Sequence, residues 1–290
     1  MKSSIKNIER ITPGMHQYPQ LLKEICDYPK ELFCRGDISL LKKRCVAVVG
    51  SRNTTVYGRS TAVKFSGQLS RAGLAVVSGM AKGIDTCAHR GALDVGGKTI
   101  AVLGCGINVC YPKSNLELKN DIEEKGLVIS EYSPDTVPQR YFFPQRNRII
   151  SGLCEVTIVV QAGNSSGALI TAECSADQGR DVCAVPGNVD SQYNMGSNKL
   201  IKEGAIPVLS PGDVFELLGV NTEDDKETEE ILGSTERCIY SALKKHGELR
   251  LDQLCEILSK PPSYIAGIVT VMEMKGFVFS NLGKIFIAKG

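Results

Sequence analysis

Short apolar segments recur along most of this chain at intervals of about 25 residues, and a helical pattern separates each from the next. They lie at residues 46–49, 74–77, 99–103, 127–129, 156–160, 182–185 and 206–209. This alternation is typical of βαβ units. Because each segment is almost continuously apolar, we expect its strand to be buried on both faces. The repeat therefore predicts an α/β fold, with a mostly parallel sheet and helices on both faces.

The apolar pattern divides the 290 residues into four parts. Residues 1–44 contain only short helical patterns, at 18–25 and 32–36, and we expect this extension to pack on the sheet domain at 45–218. Residues 219–233 form an acidic linker without apolar periodicity. Residues 234–290 show three helical patterns and a terminal hairpin, which predicts a small winged-helix domain.

Composition excludes some classes of protein. With 42% hydrophobic residues, 23% charged residues and a net charge of +2, the chain resembles an ordinary globular protein, so a basic site has to arise from local clustering. We find no apolar segment of 18 residues, and Lys2, Lys6 and Glu9 interrupt the start of the chain. We therefore expect a cytoplasmic protein without a membrane partner.

The eleven cysteines include no C-x-x-C pair, and most lie within apolar patterns. We interpret them as reduced core residues, and we expect neither a metal nor another cofactor. The loops after the strands also lack a dinucleotide fingerprint and a Walker-type phosphate loop.

Several predicted strands end in glycine, and in open α/β sheets the ligand crevice lies at those carboxyl ends. Gly50, Ser51 and Arg52 follow the first strand, where backbone N–H groups and the Arg52 guanidinium would bind a phosphate. The alternative is that Arg52 only braces its own loop. After the second strand, Gly79 and Gly83 allow close approach of a ligand, and Lys82 lies between them.

A second basic motif precedes the strand at 156–160. Its candidate residues are Phe143, Arg146, Asn147 and Arg148, and the turn after the strand contributes Gly163, Asn164, Ser165, Ser166 and Gly167. Cations beside a turn with free N–H groups predict an anion site. The turn is also compatible with simple helix capping.

Asp85 and His89 lie one helical turn apart and are candidates for an acid–base pair. Structural roles, as a loop brace and as a satisfied core histidine, are the alternative. Tyr111 would stack on a base or remain an exposed loop residue.

Between residue 18 and about residue 213 the sequence resembles the DNA-processing protein A (DprA/Smf) family. The residues that carry the resemblance are 50–52, 78–85, 88–89, 111–112, 130–132, 143–148, 150–153, 167–172, 179–180, 184–187 and 204–205. The resemblance implies an extended Rossmann-like domain that binds and protects single-stranded DNA. It also implies loading of the RecA recombinase during natural transformation, a homodimer, and no enzymatic reaction. The candidate residues named above match the family's DNA pocket.

Two departures from the family are visible. We expect the helical N-terminal domain of many members to be absent or reduced to a remnant here, and Ala168 replaces a hydroxyl residue. A LOG-like phosphoribohydrolase using the same crevice is the alternative. Thr171, however, stands where that family's P-G-G-x-G-T-x-x-E loop has its glutamate. In the C-terminal module the third helix offers Lys275 as its one basic residue, which favours a protein-interaction role over groove reading.

Overall fold

The computed structural model describes residues 7–220, 232–281 and 283–287, and the chain divides into two compact units with the boundary after residue 220. The strands of the first unit are β1 Glu9–Ile11, β2 Leu32–Gly36, β3 Cys45–Gly50, β4 Ala75–Ser78, β5 Lys98–Leu103, β6 Leu127–Ser130, β7 Val156–Gln161, β8 Asp181–Ala184 and β9 Ile206–Pro207. Its α-helices are α1 Gln20–Lys23, α2 Val56–Arg71, α3 Ile84–Asp94, α4 Leu116–Lys125, α5 Phe142–Gly152, α6 Gly167–Asp177, α7 Met195–Lys202 and α8 Pro211–Leu218.

These strands form one sheet in the order β1-β2-β6-β5-β4-β3-β7-β8-β9. All neighbours from β6 to β9 pair in parallel. From β3 the chain builds outward through β4, β5 and β6, then returns to the other side of β3 to add β7, β8 and β9. The order of addition therefore reverses between β3 and β7, which is the topological switch point where open α/β sheets bind ligands. The mostly parallel sheet is confirmed.

The N-terminal extension contributes two strands, which corrects the helical prediction for residues 32–36. β2 pairs antiparallel with β6, with Phe33 opposite Ser130, and β1 pairs antiparallel with β2. The reason is visible in burial, because Leu32 and Cys34 are fully buried while Phe33 between them is half-buried. This is the period of a strand, and five residues are too few to distinguish it from a helical pattern by composition.

Helices cover both faces of the sheet, as predicted. On one face, α5 and α6 pack on the strands together with Leu22 and Ile25 of the extension. On the other face, α2, α3 and α8 contribute Phe65, Ala88 and Val214. Most residues of the central strands are apolar and buried, so burial of the sheet on both sides holds the carboxyl ends of those strands in place.

The second unit is a small α/β module. It contains α9 Ser234–His246, β10 Glu248–Arg250, α10 Leu251–Leu258, α11 Pro262–Met274, β11 Val278–Asn281 and β12 Lys284–Ile287. Leu243, Ile265 and Met272 lie in its core. The wing has three antiparallel strands in the order β10-β12-β11, one more than the predicted hairpin. Within the described ranges of the chain, no helix is both long and apolar enough to span a membrane.

Candidate functional site

A crevice of about 580 Å³ opens at the carboxyl ends of the central strands, beside the switch point between β3 and β7. The residues that line it include Gly50, Ser51, Arg52, Asp85, Tyr111, Arg140, Phe143, Arg146, Asn147, Ser165, Ser166, Gly167 and Thr171. An adjoining recess of about 170 Å³ shares several of these residues and adds Gly79 and Lys82. The fold therefore brings the loops after β3, β4, β5 and β7 together at one place.

The loop after β3 is held in a fixed shape by its own hydrogen bonds. Ser51 N donates to Gln161 O of β7 at 2.7 Å, and Ser51 Oγ donates to Asn53 O at 2.7 Å. Asn53 N in turn donates to Ser51 Oγ at 3.2 Å. The Ser51 hydroxyl is thus engaged within the loop, so Ser51 shapes the rim of the crevice around the exposed Arg52 side chain.

Gly83 allows the loop after β4 to approach the loop after β3. Its φ is +81°, and a Cβ built on it would lie 2.3 Å from Ser51 O and 2.7 Å from Arg52 O. The next residue uses this closeness, since Ile84 N donates to Ser51 O at 3.2 Å. A side chain at this position would separate the two loops.

Arg146 is buried and belongs to the framework of the crevice. Its Nη1 donates to Gly79 O at 2.6 Å and also to Val102 O, so one guanidinium joins the carboxyl ends of β4 and β5. Burial lowers the pKa of Arg146 to about 10, with Asp85 acting in the opposite direction. The sequence motif predicts that Arg146 is a phosphate ligand like Arg52. The structure instead places its side chain under the crevice, with 4% of it exposed.

Arg148 lies away from the crevice, contrary to the sequence-based expectation. Its Nε donates to Asp27 Oδ2 at 3.0 Å and its Nη2 donates to Glu131 Oε1 at 2.7 Å. Two residues of an α-helix that are two positions apart point about 200° away from each other. Arg146 and Arg148 therefore face opposite sides of α5, and Arg148 ties the N-terminal extension to the sheet unit.

Asn147 links α5 to the start of α6. Its Nδ2 donates to Gly167 O at 3.3 Å, and its Oδ1 accepts a hydrogen bond from Arg146 Nε at 3.2 Å. Next to Gly167, Ser166 caps α6, because its Oγ accepts from Ala168 N at 3.4 Å. Ser165, Ser166 and Gly167 reach the crevice, as expected of this turn.

The other two residues of the turn are placed differently. Gly163 O accepts from Ser166 N at 3.1 Å, and Asn164 directs its amide to Met195 Sδ at 3.8 Å. Neither residue is part of the crevice lining. Their contribution is to close the turn that presents the serines.

Exposed cations and aromatic rings meet at the mouth of the crevice. Arg52 is exposed, and its Cζ lies 5.5 Å from the centroid of the Phe143 ring. The Phe143 ring lies in turn 5.3 Å from the Tyr111 ring. Exposed Lys82 borders the adjoining recess. Arg52, Phe143 and Tyr111 thus combine a charged edge with flat apolar faces, an arrangement that suits a phosphate and a base.

Arg140 is a residue of the crevice that the sequence analysis missed. It is exposed, lies two residues before α5 and lines the same cavity as Arg52. Neither arginine forms an ion pair within the part of the chain that the structure describes. The available signal was a cation directly before the aromatic residues 141–143.

Asp85 and His89 do not form an acid–base pair. Asp85 Oδ2 accepts from Gly79 N at 3.2 Å and from Ala81 N at 3.3 Å, so it braces the loop after β4. Burial raises the pKa of Asp85, while nearby Arg146 lowers it. The hydrolase alternative also needs a glutamate where the crevice has Thr171. Asp85 is the one acidic residue among the described residues lining the crevice.

His89 is a buried, neutral histidine. The Thr99 hydroxyl has one proton, which it donates to Val76 O at 2.7 Å, so the 2.7 Å contact between His89 Nδ1 and Thr99 Oγ1 has the ring as donor. His89 Nε2 is buried and has no hydrogen-bond partner among the described residues. Burial lowers the pKa of His89 to about 3, and the Arg146 charge contributes.

His89→Asn is expected to reduce the loss of stability in acid. The pKa of His89 in the folded protein lies below the ordinary value of 6.5, which applies to the unfolded chain. Below pH 6.5 the unfolded chain therefore binds a proton that the folded protein does not bind, and the fold loses stability as the pH falls towards 3. Asparagine keeps a donor for Thr99 and does not titrate. The two free energies of unfolding should diverge by up to about 1.4 kcal/mol per pH unit below about pH 6. Denaturant titrations followed by far-UV circular dichroism measure this, and parallel pH profiles would contradict it.

Comparison with known proteins identifies the family. The family model described as DNA recombination-mediator protein A matches residues 9–219. DNA processing protein DprA of Bacillus subtilis is 43% identical over 214 residues, which are 73% of this chain and 72% of that protein. The Streptococcus pneumoniae protein of the same name is 49% identical over 198 residues, 68% of this chain and 70% of that protein.

Two solved structures agree with this result. DNA processing protein A of Streptococcus pneumoniae superimposes with a TM-score of 0.70 at 45% identity, covering 73% of this chain and 75% of the other. DNA processing protein A of Helicobacter pylori, described for its single-stranded DNA binding mode, superimposes with a TM-score of 0.66 at 28% identity. The match covers 73% of this chain and 96% of the other. The family model, the sequence identities and the superpositions agree, and the chain belongs to the DNA recombination-mediator protein A family.

Proposed function

We propose that this protein binds single-stranded DNA in the crevice at the β3–β7 switch point, with little dependence on base sequence. The observation that supports this most directly is the exposed Arg52 beside Phe143, in a cavity whose acidic residue, Asp85, is buried and bound to backbone N–H groups. An unpaired cation beside an aromatic face suits a nucleotide unit, and every base has a face that can stack.

Each group has a distinct role in the proposal. Arg52, Lys82 and Arg140 supply the positive charge that phosphates require, and release of counterions gives the affinity its salt dependence. Phe143 and Tyr111 supply stacking surfaces. The loops at residues 50–52, 79–82 and 165–167 border the crevice and admit the strand closely. In this scheme Arg146 and Asn147 hold the crevice open instead of contacting phosphate.

Arg52→Ala is expected to weaken binding of labelled oligo-dT roughly tenfold and to reduce the slope of log K against log salt by about 0.7, the value for one phosphate contact on a single strand. Fluorescence anisotropy at several salt concentrations measures both quantities, and an unlabelled duplex competitor tests the preference for single strands. Arg71→Ala is the matched control, because Arg71 is exposed at the C-terminal end of α2. Equal slopes for wild type and Arg52→Ala would reject the crevice as the DNA site.

We further propose that the bound strand is protected and passed to RecA, that the protein acts as a homodimer in the cytoplasm, and that it catalyses no reaction on the DNA. Membership of a recombination-mediator family supports this role. The test is RecA filament formation on DNA already covered by single-strand-binding protein, with wild type and Arg52→Ala compared. Acceleration by wild type alone is expected. Light scattering would report the oligomeric state, and release of base from nucleoside monophosphates would instead support the hydrolase alternative.

A further inference from the structure

Three aromatic rings are in contact just outside the crevice, at the start of α5. The Tyr132 and Phe142 rings lie 4.0 Å apart between centroids at an angle of 33°. Tyr141 meets Phe142 edge-on, with centroids 4.6 Å apart and an angle of 64°. Tyr141 is 59% exposed, although it belongs to this cluster. A large aromatic ring so exposed, beside other rings, is a feature of binding surfaces.

The anchoring of α5 does not account for Tyr141. Phe142 and Tyr132 provide that anchoring, because the single hydroxyl proton of Tyr132 is shared between Gln145 Oε1 at 3.3 Å and Phe142 O at 3.5 Å. These bonds and the ring contact fix Phe142 against the loop after β6. Tyr141 lies at the solvent side of this rigid pair, so its ring is held in place without being covered.

The position of Tyr141 relates it to the crevice. Its neighbour Arg140 lines the crevice, and so does Phe143 two residues later. Tyr141 lies between these two residues in sequence, and in our proposal a DNA strand that contacts both passes its exposed ring on leaving the crevice. The charge there is favourable, because exposed Arg140 is adjacent in sequence, whereas the nearby carboxylate of Glu131 is bound to Arg148 at 2.7 Å.

We infer that Tyr141, backed by Phe142 and Tyr132, is a second base-stacking site that receives a nucleotide outside the crevice. This inference rests on the proposed function and extends it, because it assigns the protein a binding site longer than the crevice. Single-strand-binding proteins commonly stack successive bases on successive aromatic residues. The second site adds contact without charge, so it contributes affinity that does not depend on salt concentration.

The test compares oligo-dT of about 20 nucleotides with a short strand of about 4 nucleotides, chosen to occupy the crevice without reaching Tyr141. Tyr141→Ala is expected to weaken binding of the long strand about 5- to 10-fold and to leave both the short strand and the salt slope unchanged. Tyr141→Phe should restore wild-type affinity, because it keeps the ring. Tyr28→Ala, at a tyrosine that is 41% exposed in the N-terminal extension, is the control for the loss of a surface ring.

The outcomes separate the inference from the proposed function. If wild type binds neither strand, both fail. If wild type binds both strands and Tyr141→Ala binds the long one equally well, the second site alone is wrong. A reduced salt slope in Tyr141→Ala would also overturn it, because stacking removes no counterion. An unchanged melting temperature should accompany the expected result, since Tyr141 is largely exposed.

Discussion

Arg146→Ala is expected to lower the free energy of unfolding of the sheet unit by about 3–5 kcal/mol and to abolish tight binding of DNA as a consequence. The guanidinium is buried and donates to Gly79 O and Val102 O. Its removal leaves both carbonyl groups without this donor and leaves a cavity under the crevice. It also removes the positive charge that lowers the pKa of Asp85 and so acts against burial, which raises that pKa. Denaturant unfolding followed by far-UV circular dichroism measures the loss.

Two further variants separate the framework role of Arg146 from a phosphate contact. Arg146→Lys keeps the charge but cannot reach both carbonyl groups with one planar group, so most of the destabilisation should persist. Asp85→Asn combined with Arg146→Ala should recover part of the stability, because the buried carboxylate no longer lacks its compensating charge. If Arg146→Ala were as stable as wild type and lost only DNA affinity, Arg146 would be a phosphate ligand after all.

Gly83→Ala is expected to destabilise the sheet unit by about 2–4 kcal/mol and to weaken DNA binding at least tenfold. The added Cβ would lie 2.3 Å from Ser51 O and 2.7 Å from Arg52 O, and these are backbone atoms that move only with their loop. The loop after β3 would have to shift, and Arg52 would shift with it. Unfolding titrations and oligo-dT anisotropy on the same preparation report the two effects.

Gly73→Ala provides a matched control, because its φ is +84° and a Cβ there would meet nothing within 4 Å. It carries the conformational penalty of a positive φ without the clash, about 1 kcal/mol, and should leave DNA binding unchanged. Any additional loss of stability or of DNA affinity in Gly83→Ala then measures the effect of the contact between the two loops. Equal effects of the two substitutions would show that this contact does not shape the crevice.

Much of the fold could be predicted because a strand that is buried on both faces has an almost continuously apolar sequence. The apolar segments that became β3 to β8 are nearly continuous, and a strand between two helical layers needs no polar face. The extension was harder to predict. The five residues of β2 are paired on one edge of the sheet, and so short a pattern does not distinguish strand from helix without its partner β6.

The place of the crevice could be predicted from the sequence, but the roles of individual arginines around it could be predicted less well. Glycines at strand ends pointed to the edge of the sheet where the crevice lies, and Arg52 and Phe143 line it. The structure places Arg148 outside this crevice, which agrees with the rule that a residue two positions from Arg146 faces the other side of a helix. Arg140 was missed because one cation in a loop is a weak signal, even directly before the aromatic residues 141–143.

The amino-acid sequence alone determined the layered α/β architecture, the winged-helix module and the family, since each rests on local periodicity or on ordered motifs. Tertiary structure alone decided which of three similar arginines carries which role. Arg146 became a buried brace because the ends of β4 and β5 converge on it, and Arg148 became an ion-pair partner because Asp27, far away in the chain, packs beside it. Arg52 remained exposed and without an ion pair among the described residues. The sequence shows that an arginine is charged, but the exposure of its side chain to solvent depends on distant segments that only folding brings together.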